Sequence, residues 1–167
     1  MSESQERKFA LYVYVILIIT YLLSHSSYYK YGVSCSSAWW SHISYMFFHA
    51  SLLHLLINIY SFNILIRTPS HLRFRIAYSF IIGILSTIIY LPPTSILVGF
   101  SGVVFALLGL VASEHYTAMN FSLIVISLIV SYFIPGVAFY IHLICFAIGF
   151  MTYKIHTYIK EFVYDNK

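Results

Sequence analysis

The stretch VGFSGVVFALLG, residues 98–109, sets Ser101 among glycines directly before an apolar run of helical character. A serine there is either a small residue that lets helices pack closely or a nucleophile. As a nucleophile it would start a helix, where free backbone N–H groups and the positive dipole end favour an anion. It would also need a base within hydrogen-bond reach. His142, in the last apolar segment, is the candidate base. An acyl-transfer intermediate further needs donors aimed at its oxyanion. His54 and Asn58 stand at i and i+4 and so share a helix face; with the backbone N–H of Ser101 they can supply those donors. His49 is five residues before His54, about 140° away on a helical wheel, and is expected to face the interface or a loop. No Asp or Glu lies in the outer or central part of the apolar segments, so a Ser–His dyad is the most that can be assembled.

These residues must be positioned by elements that live in oil. Of 167 residues, 60% are hydrophobic and 8% charged, which is the composition of an integral membrane protein. Six apolar segments run over 9–24, 43–66, 74–91, 101–113, 119–134 and 137–158, and they predict a single all-α bundle occupying residues 1–167. Segment 4 is too short to cross: thirteen helical residues make about 20 Å against a core of about 30 Å. With Glu114 at the cytoplasmic interface, Ser101 starts its helix inside the membrane, and the connection LPPTSILVG before it must dip in. Irregular backbone at that depth is tolerated only when buried in protein or lining a wet cavity. His54 precedes Arg67 by 13 residues, Ser101 precedes Glu114 by 13, and His142 precedes Lys154 by 12. All three therefore lie about 18–20 Å above the cytoplasmic interface, a coincidence that predicts one polar cavity open to the outer face. Small residues allow close approach there. Gly102, Ala106 and Gly109 line one side of segment 4, and Cys145 and Gly149 lie on the His142 face of segment 6.

Orientation follows from the basic residues. With both termini cytoplasmic, Arg7, Lys8, Arg67, Arg73, Arg75, Lys154, Lys160 and Lys167 all fall inside and only Lys30 falls outside. The net charge of +4 is thus a topology signal, and no basic patch for nucleic acid is present. Segment 1 resembles a signal peptide in length but lacks an A-x-A-like site, so it is read as a retained helix. The connection 25–42, with Trp39, Trp40 and several tyrosines, suits the headgroup layer. Cys35 and Cys145 fall in an outer loop and inside a segment respectively and are not expected to pair.

HASLLHLLIN in segment 2, GFSG opening segment 4, and His142 followed by Gly149 in segment 6 together resemble the rhomboid family of intramembrane serine proteases, in its minimal six-helix form. The likeness runs through all six segments in order. It implies peptide-bond hydrolysis in or near transmembrane helices of other proteins, with Ser101 as nucleophile, His142 as general base, and His54, Asn58 and the Ser101 N–H as oxyanion hole. Gly99 and Gly102 belong to the GxSG motif. Phe105 matches a position where many members carry Tyr beneath the catalytic His, so stacking can survive without the hydroxyl. Trp40 is followed by Ser41 where Trp-Arg is common. Cys145 stands where Gly is usual, which bears on how closely segments 4 and 6 approach.

Three other readings remain. The chain can be an inactive rhomboid-like binder or chaperone of membrane proteins, although such relatives usually lose the Ser or the His. Eight histidines raise a metal or haem protein, against which stand the missing HExxH and the lack of i, i+4 His pairs. A helix broken at mid-depth is also a transporter feature, but no inverted repeat is visible. No cofactor or metal is expected. A multi-pass protein of a bacterial plasma membrane is the expected setting.

Overall fold

A computed structural model describes residues 3–24, 26–67, 72–93, 95–114, 118–133 and 138–165. Among the described residues seven α-helices follow one another: α1 (Glu3–Ser24), α2 (Ser41–Ser44), α3 (Leu52–Leu65), α4 (Leu72–Ile89), α5 (Ser101–Glu114), α6 (Ala118–Phe133) and α7 (Phe139–Asp165). Short 3-10 turns occupy Tyr28–Lys30 and Tyr45–Phe47. Among the described residues there is no strand, only an antiparallel bridge between Val33 and Leu97.

The helix expected over 43–66 is two elements. Ser41–Phe47 and Leu52–Leu65 meet at 91°. Between them the chain is extended at Phe48 and again at Ser51. Ser51 explains the restart: its side chain accepts the N–H of His54 at 3.2 Å and caps α3. At the other end, α7 runs to Asp165, beyond the expected stop at 158. The expected bounds at 134 and 137 fall outside the described residues.

α5 is the axis of the bundle. Gly102, Val103, Val104, Ala106, Leu107, Gly109, Leu110, Ala112 and Ser113 are all buried, so the helix has hardly any free face. A helix apolar all round is the sequence form of a fully enclosed one. Its tightest neighbour is α7. A Cβ on Gly109 would collide with the carbonyl oxygen of Phe146, and one on Gly149 with the carbonyl oxygen of Ala106. The two backbones thus touch where glycine removes the side chain. α3 and α4 close the other sides. α6 packs mainly through Ile124 and Leu128, against Phe105, Leu108, Phe146 and Phe150.

At the lower end Arg75 of α4, 2% exposed, forms an ion pair with Glu114 at the end of α5 and lies 5.8 Å from the Tyr153 ring centroid on α7. The outer surface is a belt of large apolar side chains, among them Leu11, Leu23, Ile57, Ile88, Phe133 and Ile159. Such a surface suits lipid and not water. By length and composition, Phe139–Ile159 alone qualifies as a straight crossing among the described residues, and the bent pair 41–47 and 52–65 qualifies jointly. Lys8–Ser24, Phe74–Ile89 and Ser101–Glu114 are further apolar helical stretches among the described residues. α5, Ser101–Glu114, is short, as its sequence requires.

Candidate active site

Ser101 is the first residue of α5, and His142 lies in the first turn of α7. Close packing of α5 on α7 brings Ser101 Oγ to 2.8 Å from His142 Nε2, a hydrogen bond between residues 41 apart in sequence. Phe105, one turn below Ser101, stacks on the imidazole with centroids 4.3 Å apart and planes at 13°. Ser101 is half-buried, whereas His142 is 5% exposed, so the serine is the accessible member. His142 Nδ1 is buried and has no hydrogen-bond partner among the described residues.

The backbone leading into Ser101 is held at successive residues. Val33 and Leu97 exchange two hydrogen bonds, of 3.0 and 2.9 Å. The Gly99 N–H donates to the Tyr45 carbonyl at 2.9 Å. The Phe100 N–H donates to His49 Nε2 at 3.2 Å. The Phe100 ring, fully buried, is gripped edge-on by Phe62 of α3 and Phe80 of α4. Gly99 has φ +122, a region that L side chains avoid. A Cβ there would also stand 2.7 Å from His54 Nε2, so the imidazole of His54 occupies the space that glycine leaves. The glycine before Phe-Ser is required twice, by dihedral and by contact.

α3 presents His54 to this turn, against Gly99, and carries Asn58 one helical turn further on. Asn58 is 3% exposed, and its Nδ2 has no hydrogen-bond partner among the described residues. An unpaired amide donor in an apolar interior is costly unless a ligand or water meets it. His54 is partly exposed, with its ring 5.0 Å from that of His49. Of the two placements expected for His49, at the interface or facing a loop, only the second is found. His49 is 1% exposed and bonded to the turn that precedes Ser101. It lies before the α3 cap at Ser51 and so is not on the helix of His54.

Cys145 sits one turn below His142 and is fully buried. Its thiol donates to Ser86 Oγ of α4 at 3.1 Å, and it leaves a hypothetical Gly102 Cβ 3.5 Å of room. Cys145 therefore does not prevent the approach of α5 to α7, because its sulfur turns toward α4. Gly149 serves that approach lower down, against Ala106. Cys35 and Cys145 are both free thiols. Among the described residues no group of three or more His, Cys, Asp or Glu is placed to hold a metal ion. Sequence reasoning missed Tyr45, His49 and Phe100. Only His49 carried a signal, in the Ser51 cap that follows it.

An all-helical bundle with a lipid-compatible surface, whose short central helix begins at a serine bonded to a histidine, defines a class: membrane proteins with a serine–histidine pair built inside the bundle. Within that class the chain belongs to the rhomboid family, since the family model of the Rhomboid domain matches residues 36–158. The family makes it an integral membrane protein, in a group whose members are mostly serine proteases and include inactive forms. A comparison with curated proteins found no match.

Proposed function

We propose that this protein is an intramembrane serine endopeptidase that cleaves transmembrane helices of other proteins near the outer membrane face. The observation that carries this reading is the 2.8 Å contact between Ser101 Oγ and His142 Nε2 at the buried end of a helix. In the neutral tautomer that accepts at Nε2, His142 is ready to take the serine proton. Ser101 Oγ attacks the carbonyl carbon of the scissile peptide while its proton passes to Nε2. The oxyanion that forms meets the Ser101 N–H, the Asn58 amide and His54, donors that need no reorganisation. The intermediate collapses, the peptide C–N bond breaks, and His142 returns the proton to the leaving amine. Water from the outer side then attacks the acyl-enzyme, with His142 again the base, and releases the new carboxyl end. The Phe105 face holds the imidazole plane through both steps.

A substrate helix reaches the site laterally, beside α6, and must unwind locally, because a helical peptide bond is shielded by its own hydrogen bonds. Residues 1–167 act as one domain with both termini cytoplasmic, as the basic residues indicate, in a bacterial plasma membrane. The chemistry uses no cofactor. The test is fluorophosphonate labelling of the detergent-purified protein, wild type beside Ser101→Ala and His142→Ala. Labelling of the wild type alone is expected. A well-folded wild type that stays unlabelled overturns the protease reading and leaves a binder of membrane proteins.

A further inference from the structure

Tyr45 reaches the bundle axis from the stretch before α3, and its contacts converge on both sides of Ser101. It is 2% exposed and sits on the 3-10 turn between α2 and α3. Its hydroxyl donates to the Gly83 carbonyl of α4 at 2.9 Å. Its own carbonyl accepts the Gly99 N–H at 2.9 Å. Its hydroxyl oxygen also stands 3.0 Å from where a Cβ on Gly102 would lie. Gly99 and Gly102 flank the Phe100–Ser101 pair, so one residue touches the chain before and after the serine without touching Ser101 Oγ or His142.

We infer that Tyr45 is a positioning residue that fixes the height and tilt of the Ser101 backbone, using α4 as its anchor; this rests on the reading of Ser101 as nucleophile. Three features fit together under it. The second glycine of GFSG is glycine because the Tyr45 hydroxyl fills the Cβ space. The nearest other atoms to that Cβ position are Cys145 Sγ at 3.5 Å and Ile141 Cγ2 at 3.9 Å, which are ordinary contacts. A Cβ on Gly83 would lie in ordinary contact with the same hydroxyl, at 3.4 Å, its tighter neighbour being Met46 Sδ at 3.2 Å. The loop carrying Tyr45 is itself tied to the bundle by His42 Nδ1, which is 2.9 Å from Thr87 Oγ1.

The contact geometry makes a reciprocal prediction. Gly102→Ala alone pushes against a hydroxyl held by α4. Removing that hydroxyl with Tyr45→Phe makes room for the new methyl. The experiment measures the fluorophosphonate labelling rate, well below the thermal midpoint, for wild type, Tyr45→Phe, Gly102→Ala and the double variant, together with each midpoint. Tyr45→Phe is expected to label about fivefold slower, the loss of one hydrogen bond's worth of positioning. Gly102→Ala is expected to label about tenfold slower or worse, a small misplacement at a reacting centre. The double variant is expected to recover to within about threefold of Tyr45→Phe, since the clash is gone. A purely structural Tyr45 would lower the midpoint and leave the labelling rate of the folded protein unchanged, which overturns the inference. So does a Gly102→Ala loss that persists undiminished in the Tyr45→Phe background. An unlabelled wild type overturns the protease reading and Tyr45's role with it, whereas a labelled wild type with an unaffected Tyr45→Phe overturns the role alone.

Discussion

Gly149→Ala tests whether backbone contact between α5 and α7 makes the dyad. A methyl on Gly149 would overlap the Ala106 carbonyl oxygen and lie 3.1 Å from its carbon and 3.3 Å from Ala106 Cα. All three atoms are backbone, so no side chain can swing aside. Ordinary Cβ contacts begin near 3.4 Å, and the overlap with the oxygen is the largest. The helices must separate by about 0.8–1.2 Å at that level, roughly 7 Å below Ser101 along α5. Carried to the dyad, that opening stretches the 2.8 Å Ser101–His142 bond to about 3.6–4.0 Å, beyond the range of a good hydrogen bond. Losing a positioned base costs about 10²–10⁴ in rate. The labelling rate of folded Gly149→Ala is therefore expected to fall about 100-fold, with an overpacking cost of about 1–3 kcal/mol in stability. Stopped labelling reactions resolved on gels give the rate, and thermal unfolding in detergent gives the stability. Ala147→Val is the control: it lies on the exposed side of the same helix and should leave the rate alone. A Gly149→Ala protein that labels at the wild-type rate would refute the reasoning, because it would mean that the helix gap does not set the Ser–His distance.

Asn58→Ala should cut the turnover of a transmembrane substrate by about 10²–10³, as removal of one oxyanion donor does, with little change in KM; an unchanged turnover in a proteolysis assay removes Asn58 from the hole. His49→Ala leaves the buried Phe100 N–H without its acceptor and should cost about 1–3 kcal/mol, while His49→Gln, which can offer an oxygen, recovers part of it; equal unfolding midpoints for the two would argue against this bond. Glu114→Gln removes the carboxylate facing the buried Arg75 and should cost about 3–5 kcal/mol, more than the double change Arg75→Met/Glu114→Leu, since an apolar pair is tolerated where half of an ion pair is not; the reverse ranking in chemical unfolding would count against the pair.

The Ser101–His142 contact was expected from an argument about depth. His54, Ser101 and His142 each lie 12 or 13 residues from a charged marker, and a helix converts that count into height. The small residues of α5 and α7 were legible as a contact for the same reason: glycine on a helix face is a statement about how near another backbone comes. The burial of His49 was not legible, because a wheel assumes one continuous helix and 43–66 is apolar enough to hide a break. The clue was chemical rather than periodic. Ser51, three residues before His54, is an N-cap, and everything before it leaves the wheel. Tyr45 and Phe100 had no local signal at all, since their roles arise where loop, α3, α4 and α5 meet. Cys145 reads in sequence as a bulkier substitute for glycine. Its direction, toward Ser86 while keeping only ordinary contact with Gly102 of α5, is a rotamer that composition cannot give.

The absence of an acidic third member has a physical logic in this setting. A carboxylate beside His142 would have to be desolvated within an apolar bundle, which is costly unless it is fully paired. The imidazole instead meets a flat apolar face, Phe105, and the serine hydroxyl to which it is bonded. Neither carries charge. The same economy extends outward: the turn before Ser101 is held by backbone amides bonded to a carbonyl, an imidazole and an edge of extended chain. The buried ion pair of Arg75 and Glu114 lies at the far end of α5. Among the described residues the Ser101 end of the bundle is instead ordered by shape and neutral hydrogen bonds. In such a site small steric changes matter more than electrostatic ones, which is why glycine-to-alanine substitutions at 102 and 149 are expected to be more damaging than their size suggests.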